Sequence, residues 1–137
     1  MKHANIVWFE IHVKDLDRAI AFYSSVLNIR IEKQVLLDRQ DGIMKKEDLG
    51  IGGILVQKEN FTPSSGGVLF FYVNVLSDAI ETATRYGGKV KTAKTLIKQT
   101  DKEGNRTIAQ NLIDDKVGYF AELLDSEGNA ISLYSHY

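Results

Sequence analysis

Residues 8–20 read Trp8-Phe9-Glu10-Ile11-His12-Val13-Lys14-Asp15-Leu16-Asp17-Arg18-Ala19-Ile20, and residues 68–80 read Val68-Leu69-Phe70-Phe71-Tyr72-Val73-Asn74-Val75-Leu76-Ser77-Asp78-Ala79-Ile80. Laid over one another, Val13 falls on Val73, Leu16 on Leu76, and Ala19-Ile20 on Ala79-Ile80. Each copy reads as a strand, a short turn and an amphipathic helix. A repeat of this kind indicates a small fold duplicated within one chain, with a cleft between the two sheets.

Within the first copy, residues 6–13 alternate two sets of side chains. Val7, Phe9, Ile11 and Val13 form an apolar face; Trp8, Glu10 and His12 form the other, as in a strand with one face in a core. Asp15 offers a helix N-cap and Asp17 adds negative charge in the first turn. Leu16, Ile20, Tyr23 and Leu27 recur at helical spacing, which predicts a helix over 16–27 packed on the apolar strand face. Asn28 suits a left-handed C-terminal residue. Downstream, 29–37 reads as a strand and 38–48, with Asp41-Gly42, as a hairpin turn or mobile loop. Residues 51–57 read as another strand, whose Gly52-Gly53 permits close backbone approach.

The stretch 60–67 carries the one proline and a Gly/Ser cluster, and reads as a link. Beyond it come a strand at 68–73 and a helix begun by Ser77 or Asp78, built on Ala79, Ile80, Ala83 and Tyr86 and stopped by Gly87-Gly88. A strand at 89–96, a long polar loop at 99–115 and two strands flanking the turn at 125–129 complete the unit. The order βαβββ, twice, predicts an α+β protein: a single domain over 1–137 made of two repeats, about 4–60 and 66–137, whose curved mixed sheets enclose a cleft.

Composition narrows the function. The 17 basic and 18 acidic residues leave a net charge of −1, which gives no general electrostatic reason to bind nucleic acid or an anionic membrane. With no cysteine, disulfides, thiolate metal sites and cysteine nucleophiles are excluded. No apolar run approaches the roughly twenty residues that span a bilayer, so a cytoplasmic protein is expected. No Gly-rich phosphate loop or Ser-His-Asp pattern occurs.

Several stretches together resemble the vicinal oxygen chelate superfamily, which includes glyoxalase I, bleomycin-resistance proteins and extradiol dioxygenases. They are the βα turn from Val13 to Tyr23, Tyr86-Gly87-Gly88-Lys89-Val90 and Asp125-Ser126-Glu127-Gly128-Asn129. Trp8-Phe9-Glu10-Ile11 and Gly118-Tyr119-Phe120-Ala121 point to a bacterial glyoxalase-like subgroup. The resemblance implies paired βαβββ units and a homodimer. It also implies a divalent metal held by one inward side chain from the first and last strand of each unit. Those positions fall on Trp8, about Ile54, Val68 and Ser132, none of them a carboxylate or imidazole, so no metal or other cofactor is expected there.

Glu10 and His12 share Trp8's strand face, two residues apart. One reading makes Glu10 a general base and His12 an acid or proton carrier. The other pairs Glu10 with Arg39, a lysine or a backbone group and puts His12 at the cleft rim. Glu10 and His12 could also chelate a non-standard metal if His3 or His136 folded inward. Phe70 and Tyr72 repeat the positions of Glu10 and His12. With Trp8, Ser132 and Tyr134 they either line an apolar cleft for a small organic ligand or fill a core. Residues 98–116 read as a lid, a dimer arm or a surface insertion. Small-molecule binding in a metal-free cleft is the leading expectation. The alternative is a lactoylglutathione-lyase-related lyase or isomerase using Glu10 as base.

Overall fold

The fold was analysed as a computed structural model that describes residues 5–36, 38–45, 50–64, 66–100, 103–104, 106–107 and 111–137. Strand β1 (Trp8–Val13), helix α1 (Leu16–Leu27) and strands β2 (Ile31–Leu36), β3 (Arg39–Met44) and β4 (Gly52–Gln57) form the first unit. The second contains β5 (Leu69–Tyr72), α2 (Leu76–Arg85), β6 (Lys89–Leu96), β9 (Tyr119–Leu124) and β10 (Ala130–Ser135). A small hairpin of β7 (Gln99–Thr100) and β8 (Arg106–Thr107) is inserted between β6 and β9.

Each unit makes a four-stranded sheet with the same topology, β1-β4-β3-β2 and β5-β10-β9-β6. The first strand lies parallel to the last, Trp8 opposite Gly52 in one sheet and Leu69 opposite Ile131 in the other. The other pairs are antiparallel. A helical crossover is the usual way to bring a strand back parallel to its neighbour, which is what α1 and α2 do. The sheets do not close on each other. Their edge strands β1 and β5 approach through Phe9 and Phe71, whose rings meet edge-on at 6.1 Å.

Helix α1 begins where the sequence predicts. The Asp15 side chain accepts from the Arg18 N–H at 3.0 Å, and Asn28 ends the helix in the left-handed region at φ 53°. Phe22, Tyr23, Val13 and Leu55 from the first unit and Leu76, Leu123 and Leu133 from the second are buried in one shared core. Burying each large side chain contributes about 1.5–3 kcal/mol.

Four expectations need correction. Asp41-Gly42 is not a turn: it lies inside β3, and the reversal occurs around Asp38, whose φ is 62°. Strand geometry is tolerated because Arg39 pairs with Asp41, while a Cβ on Gly42 would meet Ile20 and Ile31 at 3.2 Å. Helix α2 starts at Leu76 rather than Ser77 or Asp78, with Val75 as N-cap and no side-chain cap bond. Val7 lies before β1 and is exposed, so it does not join the core face. Finally, the polar stretch after β6 is not all loop, because it contains β7 and β8.

The turn between β9 and β10 joins the units. The Tyr23 hydroxyl donates to Asp125 Oδ2 at 2.5 Å. Glu127 Oε1 accepts from the N–H groups of Lys14 and Asp15 at 3.0 and 2.8 Å, and both carboxylate oxygens take the Arg18 guanidinium. Asn129 donates to the His12 carbonyl at 2.9 Å and accepts from the Ser64 N–H at 2.7 Å. The second unit thereby fixes the end of β1, which carries Glu10 and His12.

Candidate functional site

Strand parity puts Glu10 and His12 on the face of β1 turned away from the helices. His12 Nε2 lies 2.9 Å from Glu10 Oε1, and the two side chains are 50% and 41% exposed. Both line a groove of about 430 Å³ at the β1/β5 seam, with Thr62, Ser64, Val68 and Asn129. Glu10 does not take Arg39 as its partner. Arg39 instead donates to both oxygens of the fully buried Asp41, at 2.8 and 3.0 Å. The bond to Asp41 raises the guanidinium pKa first, and the negative charge of Glu10 adds to it.

The second sheet places its residues differently. Phe70 and Tyr72 are more than half exposed, whereas Ser132 and Tyr134 are buried. Phe70, Ser132, Val68, Lys91 and Glu122 line a cavity of about 470 Å³. It adjoins the Glu10/His12 groove, sharing Val68, Ala130 and Ile131. Trp8 stands half exposed at the start of β1.

Tyr134 is held away from an open face. Its hydroxyl donates to Asp114 Oδ1 at 2.7 Å and accepts from Asn111 Nδ2 at 2.8 Å. Residues 111–118 lie close against it, and a Cβ on Gly118 would stand 2.5 Å from its ring. Burial raises the Tyr134 phenol pKa; the bond from Asn111 opposes it, and the bond to Asp114 and the charge of that carboxylate add to the rise.

His136 Nε2 lies 2.7 Å from Asp114 Oδ2, and the His136 ring packs on Tyr72 and Tyr134 at centroid distances of 5.4 and 5.5 Å. Partial burial lifts the Asp114 carboxyl, but bonds from His136 and Tyr134 outweigh it and leave the pKa below its ordinary value. Sequence reading named Tyr134 and His136 but missed Asp114 and Asn111, which sit in a polar stretch without motif or periodicity.

The superfamily's metal positions can be tested on these residues. Trp8, Ile54 and Val68 present an indole and two alkyl groups, and Ser132 presents a neutral hydroxyl. Such a set does not hold a divalent cation. Among the described residues, no group of three or more His, Cys, Asp or Glu side chains is placed to bind one. His3 lies outside the described residues, and His136 is engaged by Asp114 rather than by the Glu10/His12 pair. No described helix is long and apolar enough to cross a membrane.

Comparison with known proteins agrees with this geometry. Residues 5–32 match the family described as bleomycin resistance protein-like N-terminal. Among curated proteins nothing matches. A hypothetical protein of S. aureus shares the fold with TM-score 0.64 at 16% identity, covering 98% of this chain and 95% of that one. A glyoxalase/bleomycin resistance protein/dioxygenase family enzyme of Burkholderia phytofirmans gives 0.62 at 15% identity, covering 98% and 100%. A fosfomycin resistance protein of Listeria monocytogenes gives 0.60 at 13%, covering 98% and 94%. The fold over nearly the whole length and the sequence match over residues 5–32 both support the resemblance to the vicinal oxygen chelate superfamily.

Proposed function

We propose that the protein binds a small organic molecule in the groove between β1 and β5, without a metal at the superfamily's usual positions. The observation that carries this reading is the groove itself. About 430 Å³ of it is walled by Phe9, Ile11, Val68 and Leu69, with Glu10 and His12 as its titratable lining groups. Pockets of this size with apolar walls and a few convergent polar groups suit small ligands. Glu10 selects donor groups on the ligand, and Asn129 steadies β1 through the His12 carbonyl. Phe70 and Tyr72 add aromatic area beyond the seam.

A second reading is favoured by one distance. The 2.9 Å contact between Glu10 and His12 orients an imidazole beside a carboxylate, as a lyase or isomerase with Glu10 as base would use. Both readings place the protein in the cytoplasm as a homodimer, for which the exposed Ile6, Val7 and Trp8 offer apolar surface.

A Glu10→Gln variant tests the proposal. Screening a fragment library by amide-shift NMR is expected to give hits at Glu10, His12 and Val68 that weaken in the variant with unchanged melting temperature. The absence of any hit at these residues refutes it. Stoichiometric nickel, zinc, manganese or iron lost with Glu10 or His12 would replace it with a relocated metal site. Turnover of a hit by wild type, abolished in Glu10→Gln with binding retained, would establish the second reading.

A further inference from the structure

We propose that the cavity over the second sheet is an amino-acid site: a compartment for a small zwitterion with an apolar side chain. This rests on reading the open face as the ligand-binding face, and it adds the class of ligand. Phe70, Ser132 and Glu122 form one row across the sheet, Ser132 being directly opposite Phe70 on β5 and Glu122 on β9. All three line the cavity, and Lys91 on β6 joins them.

Two features separate this row from an ordinary solvated sheet face. Ser132 is 99% buried as a residue, but its hydroxyl, which takes no hydrogen bond among the described residues, opens onto the cavity and is not sealed in the core. A hydroxyl that faces a cavity with no protein partner is free to bond a ligand atom that accepts from it or donates to it. The second feature is charge. Glu122 and Lys91 line the same cavity but do not pair, and among the described residues the Lys91 ammonium has no carboxylate within 4.0 Å. Glu122 takes one bond, from the Thr92 hydroxyl at 3.0 Å to Oε2, which leaves Oε1 open.

An α-amino acid satisfies all of these groups together. Its ammonium donates to Glu122 Oε1, its carboxylate meets Lys91 and accepts from the Ser132 hydroxyl, and its side chain lies along Phe70 and Val68. A simple amine or a simple carboxylic acid compensates only one of the two charges. A neutral apolar molecule would desolvate both of them and the hydroxyl without return.

The test is a ¹⁵N amide-shift titration of the whole chain with L-phenylalanine, L-leucine and L-methionine. N-acetyl-L-phenylalanine and 2-phenylethylamine serve as matched probes lacking the ammonium and the carboxylate. At least one amino acid is expected to shift Phe70, Glu122 and Ser132 saturably, with its single-charge analogues bound roughly tenfold more weakly or worse. Glu122→Gln and Lys91→Met are each expected to weaken it by a similar factor at unchanged melting temperature, since both side chains are exposed.

Equal binding of the analogues, or saturable binding indifferent to both substitutions, overturns the proposal. Silence at Ser132 with all three amino acids overturns it as well, whatever happens at the seam. The groove reading is judged separately, on shifts at Glu10 and His12, so the failure of one leaves the other distinguishable.

Discussion

Replacing Glu127 by alanine is the sharpest test of how the two units are joined. The Glu127 side chain is fully buried and holds five donors: two backbone N–H groups of the first unit, two guanidinium nitrogens of Arg18, and the Ser126 hydroxyl. Removing one partner of a buried ion pair costs about 3–5 kcal/mol when the other is stranded. Arg18 is not stranded, because it is 49% exposed and can rehydrate. Its share is therefore that of a surface pair, about 0–1 kcal/mol. The N–H groups of Lys14 and Asp15 lose a charged acceptor in a half-buried place, at about 1 kcal/mol each or slightly more. The total is about 3 kcal/mol, a large part of the roughly 5–15 kcal/mol that holds a domain folded. With a urea slope of about 2 kcal/mol per molar, the midpoint falls by about 1.5 M.

The pH dependence of the same variant gives an independent check. Burial pushes the Glu127 carboxyl up, but bonds from Arg18, the Asp15 N–H and Ser126 outweigh it and hold the group below its ordinary 4.5. A carboxylate whose folded pKa is depressed stabilises the protein fully above its unfolded value and loses that contribution as pH falls through the folded one. Wild type and Glu127→Ala should therefore differ most above pH 4.5 and converge in acid. Urea unfolding followed by far-ultraviolet circular dichroism reads both effects. A midpoint shift below about 0.5 M, or a difference that persists unchanged into acid, refutes this role of Glu127 in joining the units.

Three further outcomes follow from the same geometry. Tyr23→Phe removes the 2.5 Å bond to Asp125, which keeps the N–H donors of Glu127 and Asn129, and is expected to cost about 1–2 kcal/mol by calorimetry. Gly118→Ala drives a methyl against the Tyr134 ring, so a loss of about 1–3 kcal/mol is expected, with faster hydrogen exchange at the Asn111 amide that now bonds Lys116. Asp114→Asn should destabilise near neutral pH and match wild type in acid, because the Asp114 pKa lies below its ordinary 3.8. Denaturation midpoints at the two pH values measure it.

What the sequence reveals depends on whether the deciding interaction is local. Helix α1 was legible because Asp15 and Asn28 act on their own backbone and its apolar stripe needs only a surface to cover. Strand β3 was not, because Asp41-Gly42 has the composition of a hairpin turn. What makes it a strand is Arg39 on the same face and the side chains of Ile20 and Ile31 over the glycine. Strand parity placed Glu10 beside His12 on an open face. Parity also put Tyr134 on the open side of β10, yet could not show that Asn111, Asp114 and Gly118 fold back over it from a stretch without periodicity.

The asymmetry of the two open faces then has a physical source. On the helix side the units carry matching residues, Val13 with Val73, Leu16 with Leu76 and Ala19 with Ala79, all buried in one shared core. A close-packed interior penalises change in volume, so that face cannot diverge freely. The open face carries no such restraint, and there Glu10 and His12 stand where the second unit has Phe70 and Tyr72. The β1/β5 seam thus sets a polar, titratable half against an aromatic half. A ligand reaching across it would be oriented by charge at Glu10 and by ring contact at Phe70. Exchanging the two pairs between the units should reverse that orientation and leave the core intact.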